Sequence, residues 1–423
     1  MPDPIPGDSR IAFDQVSPGH VPVSALMVDA LRRVDPEAAA TLDETTVARF
    51  AQRLADTAGL LGRSPLLAEP ADRADAFHHL LVTLHAAIDH SILQTDVTEP
   101  MFSPVLPTHR VDWGARNPDG VYRRAYVSAD RTYRLHGRIG NAKYVTFDVG
   151  GAAYDSDVAF GIEVDELDAD GDGDFDVQLG GTERPEHWFP LPAGSLVVTS
   201  REFFDDWSAA RRSVLRIDCV DEDVLTRTEP LPRPEHSAAR VAAEFDVLGD
   251  WLHEAGARFW LEEWHGEVNR FRDFYRVATK RPTVCRGCWE LDDDEALVLE
   301  FPDPQASYWG IQLASSLVHT LDFANRLTSV NNAQARVDAD GHVRIVVSRR
   351  DAGHHNWLDT TGLRHGDLMM RIHRAADPVP PATRVVKVDE LAAALPHSPT
   401  VTADERRAQV RERREGVAHL FGD

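Results

Sequence analysis

The chain has 423 residues, 43% hydrophobic and 27% charged, which rules out wholesale disorder and predicts two or three domains. Its 45 Lys and Arg against 69 Asp and Glu leave a formal net charge of −24. A surface of that sign repels phosphate backbones and anionic lipids, so a small-molecule ligand is expected, with no nucleic acid and no membrane partner; the oligomeric state stays open.

The opening stretch, Met1-Pro2-Asp3-Pro4-Ile5-Pro6, has neither the basic nor the apolar run of a signal peptide. No segment reaches the roughly 18 apolar residues that span a bilayer. Three cysteines, Cys219, Cys285 and Cys288, are too few for a disulfide framework, and the expected compartment is the cytoplasm. Residues 1–99 read as an extended arm followed by a helical cap. Val23, Leu26, Met27, Ala30 and Leu31 recur at helical spacing, as do Val47, Phe50 and Leu54, then Phe77, Leu80, Leu81, Leu84 and Ile88. His78, His79, His85 and His90 share this last block, without the i, i+4 pair of helical zinc ligands, and read as ordinary helix histidines.

After residue 100 the period shortens to two. Val121–Val127, Thr132–Gly137, Lys143–Val149, Asp174–Leu179, Ser195–Ser200 and Ser213–Cys219 alternate apolar and polar residues between Gly, Asn and Asp, and predict antiparallel strands in a first β unit at 100–229. Prolines at 230, 232 and 234 open an aromatic-rich helical connector, residues 230–289, which holds Trp260 and Trp264. Its Cys285-Arg286-Gly287-Cys288 is a single CxxC followed by acids, which suits plain thiols near a strand start rather than zinc or redox chemistry. A second β unit follows at 290–385, and an Arg-rich helical tail closes the chain at 386–423.

The two β units overlay. Tyr144–Val149 answers to Tyr308–Leu313, Asp172–Leu179 to Asp340–Val347, Glu186–Phe189 to His355–Leu358, and Gly194–Val198 to Gly366–Met370, at offsets of 164, 168, 169 and 172 residues. The expected fold is therefore mainly β with helical additions: two tandem jelly-roll-like antiparallel β-sandwiches from an internal duplication. Their junction is where a pocket is expected.

Tyr308-Trp-Gly-Ile-Gln-Leu313, Asn325-Arg-Leu-Thr-Ser-Val-Asn331, Asp338-Ala-Asp-Gly341 and Asp351–Gly362 with its Asn-Trp-Leu-Asp-Thr core resemble the family catalogued as domain of unknown function 1214. The resemblance spans about residues 290–375 and departs from the family at Ala352, where relatives often carry Pro. It implies a jelly-roll-like β domain and defines no activity.

Two constellations could carry chemistry. Asp168, Asp170, Asp172, Asp174 and Asp176 alternate along one loop, an oxygen-rich spacing suited to calcium, although Asp-Gly turns at a hairpin tip explain the same residues. No nucleotide motif occurs, so calcium is the one cofactor considered. The second unit collects His319, Arg326, Asn331, His355 and Asp359 as acid–base or anion-binding candidates. Tyr308, Asn356 and Trp357, with Trp260 and Trp264 from the connector, would contact the substrate. The alternative for the polar set is loop architecture: Asx turns at Asn356 and Asp359, a Trp357 plug, and an ordinary salt bridge at Arg326. The function expected is hydrolytic or lyase-like chemistry on a small lipophilic or sugar-like molecule. The competing reading is a non-catalytic carbohydrate or hydrophobic-ligand module.

Overall fold

The alternating runs do form strands. The structure, a computed structural model, describes residues 27, 30–35, 38, 40, 42–92, 96–105, 114–151, 160–229, 237–258, 261, 267–274 and 283–422. The first unit comprises β1 (Ser103–Pro104), β2 (Gly120–Tyr126), β3 (Thr132–Arg138), β4 (Tyr144–Gly150), β5 (Phe160–Glu163), β6 (Asp174–Gly180), β7 (Trp188–Phe189), β8 (Val197–Phe203) and β9 (Val214–Cys219). The second comprises β10 (Arg270–Phe271), β11 (Thr283–Glu290), β12 (Glu295–Pro302), β13 (Tyr308–Ala314), β14 (Ser329–Asn331), β15 (His342–Ser348), β16 (Trp357–Asp359), β17 (His365–His373) and β18 (Ala382–Lys387).

Each unit pairs a five-stranded with a four-stranded sheet. The strand orders are β1-β2-β8-β4-β5 and β7-β6-β3-β9 in the first, and β10-β11-β17-β13-β14 and β16-β15-β12-β18 in the second. Every strand of the first unit has its counterpart nine strands later, in the same place, so the duplication holds throughout. Even the short parallel pairings recur, Gln178 with Trp188 in one unit and Val346 with Trp357 in the other.

Ladder register confirms three of the four offsets and corrects one. Phe203 faces Tyr144 as His373 faces Tyr308, which places β8 and β17 at 373 − 203 = 170 rather than 172. The slip is two residues, one full period of a strand, so the apolar pattern alone could not detect it. The second unit also starts earlier than the sequence suggested. Strands β10 and β11 lie ahead of residue 290, inside the segment read as connector, and Cys285 is buried on β11. Burial pushes its thiol well above the ordinary range.

Between the sheets of each unit lies an apolar layer, with Leu135, Phe147, Val177 and Ile217 in the first and Leu299, Ile311, Ile345 and Met370 in the second. Each such side chain contributes about 1.5–3 kcal/mol by leaving water. Helices α1 (Glu44–Arg63), α2 (Pro70–Ser91) and α3 (Ala238–His253) form a bundle. Asp43 caps α1, accepting from the Thr45 N–H, and Ser237 caps α3. Arg49–Asp246 and Arg53–Asp250 pairs tie α1 to α3. The bundle packs on the outward face of the second unit's five-stranded sheet, sharing one core with Val284, Leu317, Val318 and Met369. Helix α4 (Ala403–Phe421), opened by a Thr402–Glu405 capping box, runs across the junction, with Val417 and Leu420 against Trp207 and Phe323. No helix among the described residues is long and apolar enough to cross a membrane.

Candidate functional site

The described residues among those singled out from sequence fall at separate places in the fold. Trp260 and Trp264 lie outside the described residues. Arg326 donates to Asp359 at 2.8 Å with its side chain 51% exposed, the plain salt bridge. Asp359 also accepts from the Thr361 N–H at 2.8 Å, an Asx turn. Asn356 is consumed by backbone, with Arg336 N–H and the Arg336 and Arg344 carbonyls within 2.9 Å. Trp357 bonds Ser348 under the Arg406 guanidinium, and His355 meets Gln409 of α4 at 3.2 Å.

The acidic loop is also accounted for by its strand. Asp174 and Asp176 point outward on β6 and meet Arg138 and Arg134 across the ladder at 2.8 and 2.6 Å. Asp170 accepts from the N–H groups of Asp172 and Asp174, closing the turn. Asp168, its side chain 84% exposed, stands 3.8 Å from His187 Nε2. Among the described residues no group of three His, Cys, Asp or Glu side chains converges to hold a metal, and cross-strand arginines and the turn account for these acids without calcium.

Tyr308 and Asn331 meet at the junction of the two units. Buried Asp119 accepts at Oδ1 from Trp207 Nε1 and Asn331 Nδ2, and at Oδ2 from the Tyr308 hydroxyl, each at 2.7 Å. Asn117 donates to the same hydroxyl at 2.8 Å. A Cβ on Gly310 would stand 2.8 Å from the Asp119 carboxylate, so the glycine of the Tyr-Trp-Gly run makes room for it. Burial raises the Asp119 carboxyl to about 6 against the pull of these donors and of Arg413. Gln312 donates to the Arg116 carbonyl and to Thr320 and accepts from Arg371. Tyr308, Gln312 and Asn331 thus dock the Gly114–Asp119 segment of the first unit.

His319 lies elsewhere, on the hairpin that follows β13 and meets α2. The second unit presents Ser315, Ser316 and His319 there, with His365 from the start of β17; α2 presents Asp72, Asp75 and His79 at helical spacing. Ser316 Oγ and His365 Nδ1 share a hydrogen bond at 2.7 Å, and His365 Nε2 stands 3.7 Å from Asp72 Oδ2. His319 Nδ1 stands 3.6 Å from Asp75 Oδ1. Burial raises the Asp72 carboxyl against the pull of His365. For Asp75, burial would do the same, but His319 and Ser315 outweigh it and hold the group below the usual range.

The hairpin is strained. Val318, β-branched and buried, sits at φ +57, held by the Ala115 N–H on its carbonyl at 2.7 Å. Strain of this kind, of order 1–3 kcal/mol, concentrates where side chains must be aimed. Ser316, Asp72 and Asp75 were not picked out from sequence, whereas His365 stood among the polar residues concentrated in the second unit. Asp72 is 244 residues from Ser316 (316 − 72), and no linear motif links them.

His79, with Thr83 at 3.2 Å and the His319 ring at 5.4 Å, is wholly buried, and burial depresses it to about 3. A folded-state pKa far below the ordinary 6.5 means the unfolded chain binds the proton first. The stability this group contributes is present above pH 6.5 and is lost as pH falls toward 3. The full slope is about 1.4 kcal/mol per pH unit. Urea unfolding of the His79→Asn variant should therefore show a smaller stability loss between pH 6.5 and 4.5 than wild type, by about 2 kcal/mol; equal losses would contradict the assignment.

Residues 289–377 match the model of a family described as a protein of unknown function, DUF1214, over the stretch that carries the motifs. The chain is similar in structure to an uncharacterized protein from Burkholderia cenocepacia, with 27% identity, TM-score 0.70, and coverage of 81% of this chain and 97% of that one. It also matches the VPA0106 protein from Vibrio parahaemolyticus at 14% identity and TM-score 0.40, covering 74% of this chain and 98% of that one. No curated protein matches.

Proposed function

We propose that this protein is a hydrolytic enzyme acting on an ester of a small lipophilic or sugar-like molecule, with Ser316 as nucleophile and His365 as general base. The observation that carries the reading is the 2.7 Å bond from Ser316 Oγ to His365 Nδ1 with a buried carboxylate behind the ring. Asp72 favours the proton on Nε2 and so leaves Nδ1 free to accept. In the reaction the Ser316 proton passes to His365 while Oγ adds to the ester carbonyl carbon. The carbon–oxygen bond to the alcohol then breaks, and the alcohol leaves with that proton. Water, deprotonated by His365, frees the acid and restores Ser316. The N–H groups of Ser316 and Leu317 make no hydrogen bond among the described residues, and in this reading they would donate to the developing oxyanion.

A fluorophosphonate probe followed by peptide mass spectrometry tests this. One adduct on Ser316, absent in Ser316→Ala, is expected. Unlabelled wild-type protein, or an adduct elsewhere that survives Ser316→Ala, would sink the reading.

A further inference from the structure

The two five-stranded sheets face each other across the junction, and their facing surfaces carry cations that the hydrolytic site does not use. At one end the gap is closed by rings. The Phe203 and Tyr308 centroids lie 5.3 Å apart, and those of Tyr144 and His373 lie 4.7 Å apart. Beyond the rings the facing side chains are Tyr122 and Arg201 from β2 and β8, paired directly across the ladder, and Arg371 from β17.

All three are half-buried, neither sealed in a core nor free on the surface. The Arg201 guanidinium stands 5.8 Å from the Tyr122 ring centroid. It lies 2.8 Å from Asp148, yet its Nη1 is not aligned for a hydrogen bond. Arg371 donates to the Gln312 side chain and the Ala115 carbonyl, both neutral; among the described residues it meets no carboxylate. The Tyr122 hydroxyl feels Arg371, Arg201 and Arg116 together, the pull that opposes its burial. Guanidinium groups from both units thus act electrostatically on one hydroxyl, in a chain whose net charge is −24.

Guanidinium forks match carboxylate and phosphate oxygens, and a cation met only by neutral acceptors in a half-dry gap gains most from an incoming anion. We propose that Tyr122, Arg201 and Arg371 form a binding site for a small oxyanion, the carboxylate or phosphate group of an organic ligand held between the two sandwiches. This site does not depend on Ser316. Arg371 and His365 lie six residues apart on β17, roughly 20 Å along the strand.

Isothermal titration with inorganic phosphate and with malonate tests it on the full-length protein. Saturable binding of at least one anion is expected, weakened tenfold or more in Arg371→Gln and in Arg201→Gln. Arg371→Lys keeps the charge without the fork and should fall between. Circular dichroism melts identify any variant that has lost its fold, and Tyr122→Phe, the mildest change, then replaces it, with a weakening of at least twofold expected. No saturable heat with either anion, or wild-type affinity in folded Arg371→Gln or Arg201→Gln, or in Tyr122→Phe where it stands in for them, would overturn the proposal.

Discussion

Replacing Asp119 with alanine is expected to cost about 3–5 kcal/mol of stability, the range for breaking a buried charge network. The carboxylate is nearly sealed from solvent and satisfies three donors, Trp207 Nε1, Asn331 Nδ2 and the Tyr308 hydroxyl, drawn from both units. Alanine leaves Trp207 Nε1 and the Tyr308 hydroxyl buried without an acceptor, leaves Asn331 Nδ2 with only the Asp205 carbonyl, and strips Arg413 of a neighbouring negative charge. Asp119→Asn should be milder, about 1–2 kcal/mol, because an amide oxygen can keep the two bonds at Oδ1 while the amide nitrogen cannot accept from Tyr308. Urea melts measure both. A loss under 1 kcal/mol for the alanine variant would mean that the junction does not depend on this network.

The second large effect is catalytic. Ser316→Ala should lower kcat for a turned-over ester by about 10³-fold or more, and His365→Ala by a similar factor. The double variant should be no worse than either single one, because nucleophile and base act as one unit. Asp72→Asn should cost less, about 10–10² in kcat with KM unchanged, since its carboxylate stands 3.7 Å from the ring and acts only by holding it. Independent, multiplying losses from Ser316 and His365 would place them outside a common mechanism.

The architecture was largely legible because a duplicated pattern is read twice. Tyr144–Val149 against Tyr308–Leu313 and Trp188 against Trp357 place equivalent strands correctly, because aromatic and apolar residues on a half-buried sheet tolerate little change of period. The β8 and β17 offset failed by two residues because strand burial repeats every two. The candidate site was far less legible. Polar residues clustered in one unit looked like chemistry, yet Asn331 and Tyr308 hold the junction, Asn356 closes a loop, and Arg326 is paired at the surface. Sequence shows residue type and spacing but not which element lies opposite. Asp72 and Asp75 matter only because α2 packs on the Ser315–His319 hairpin, a contact set by Leu317 and Val318 joining the helical core. Of the five catalytic candidates, only His319 lies at that seam.

The most direct test of the account is the rate at which a fluorophosphonate inactivates wild-type protein and the His365→Ala variant. If His365 activates Ser316, the variant should react at least 100-fold more slowly, at the same serine, with its melting temperature little changed. Equal rates at Ser316 in the two proteins would show that the serine owes nothing to His365 and would contradict the assignment.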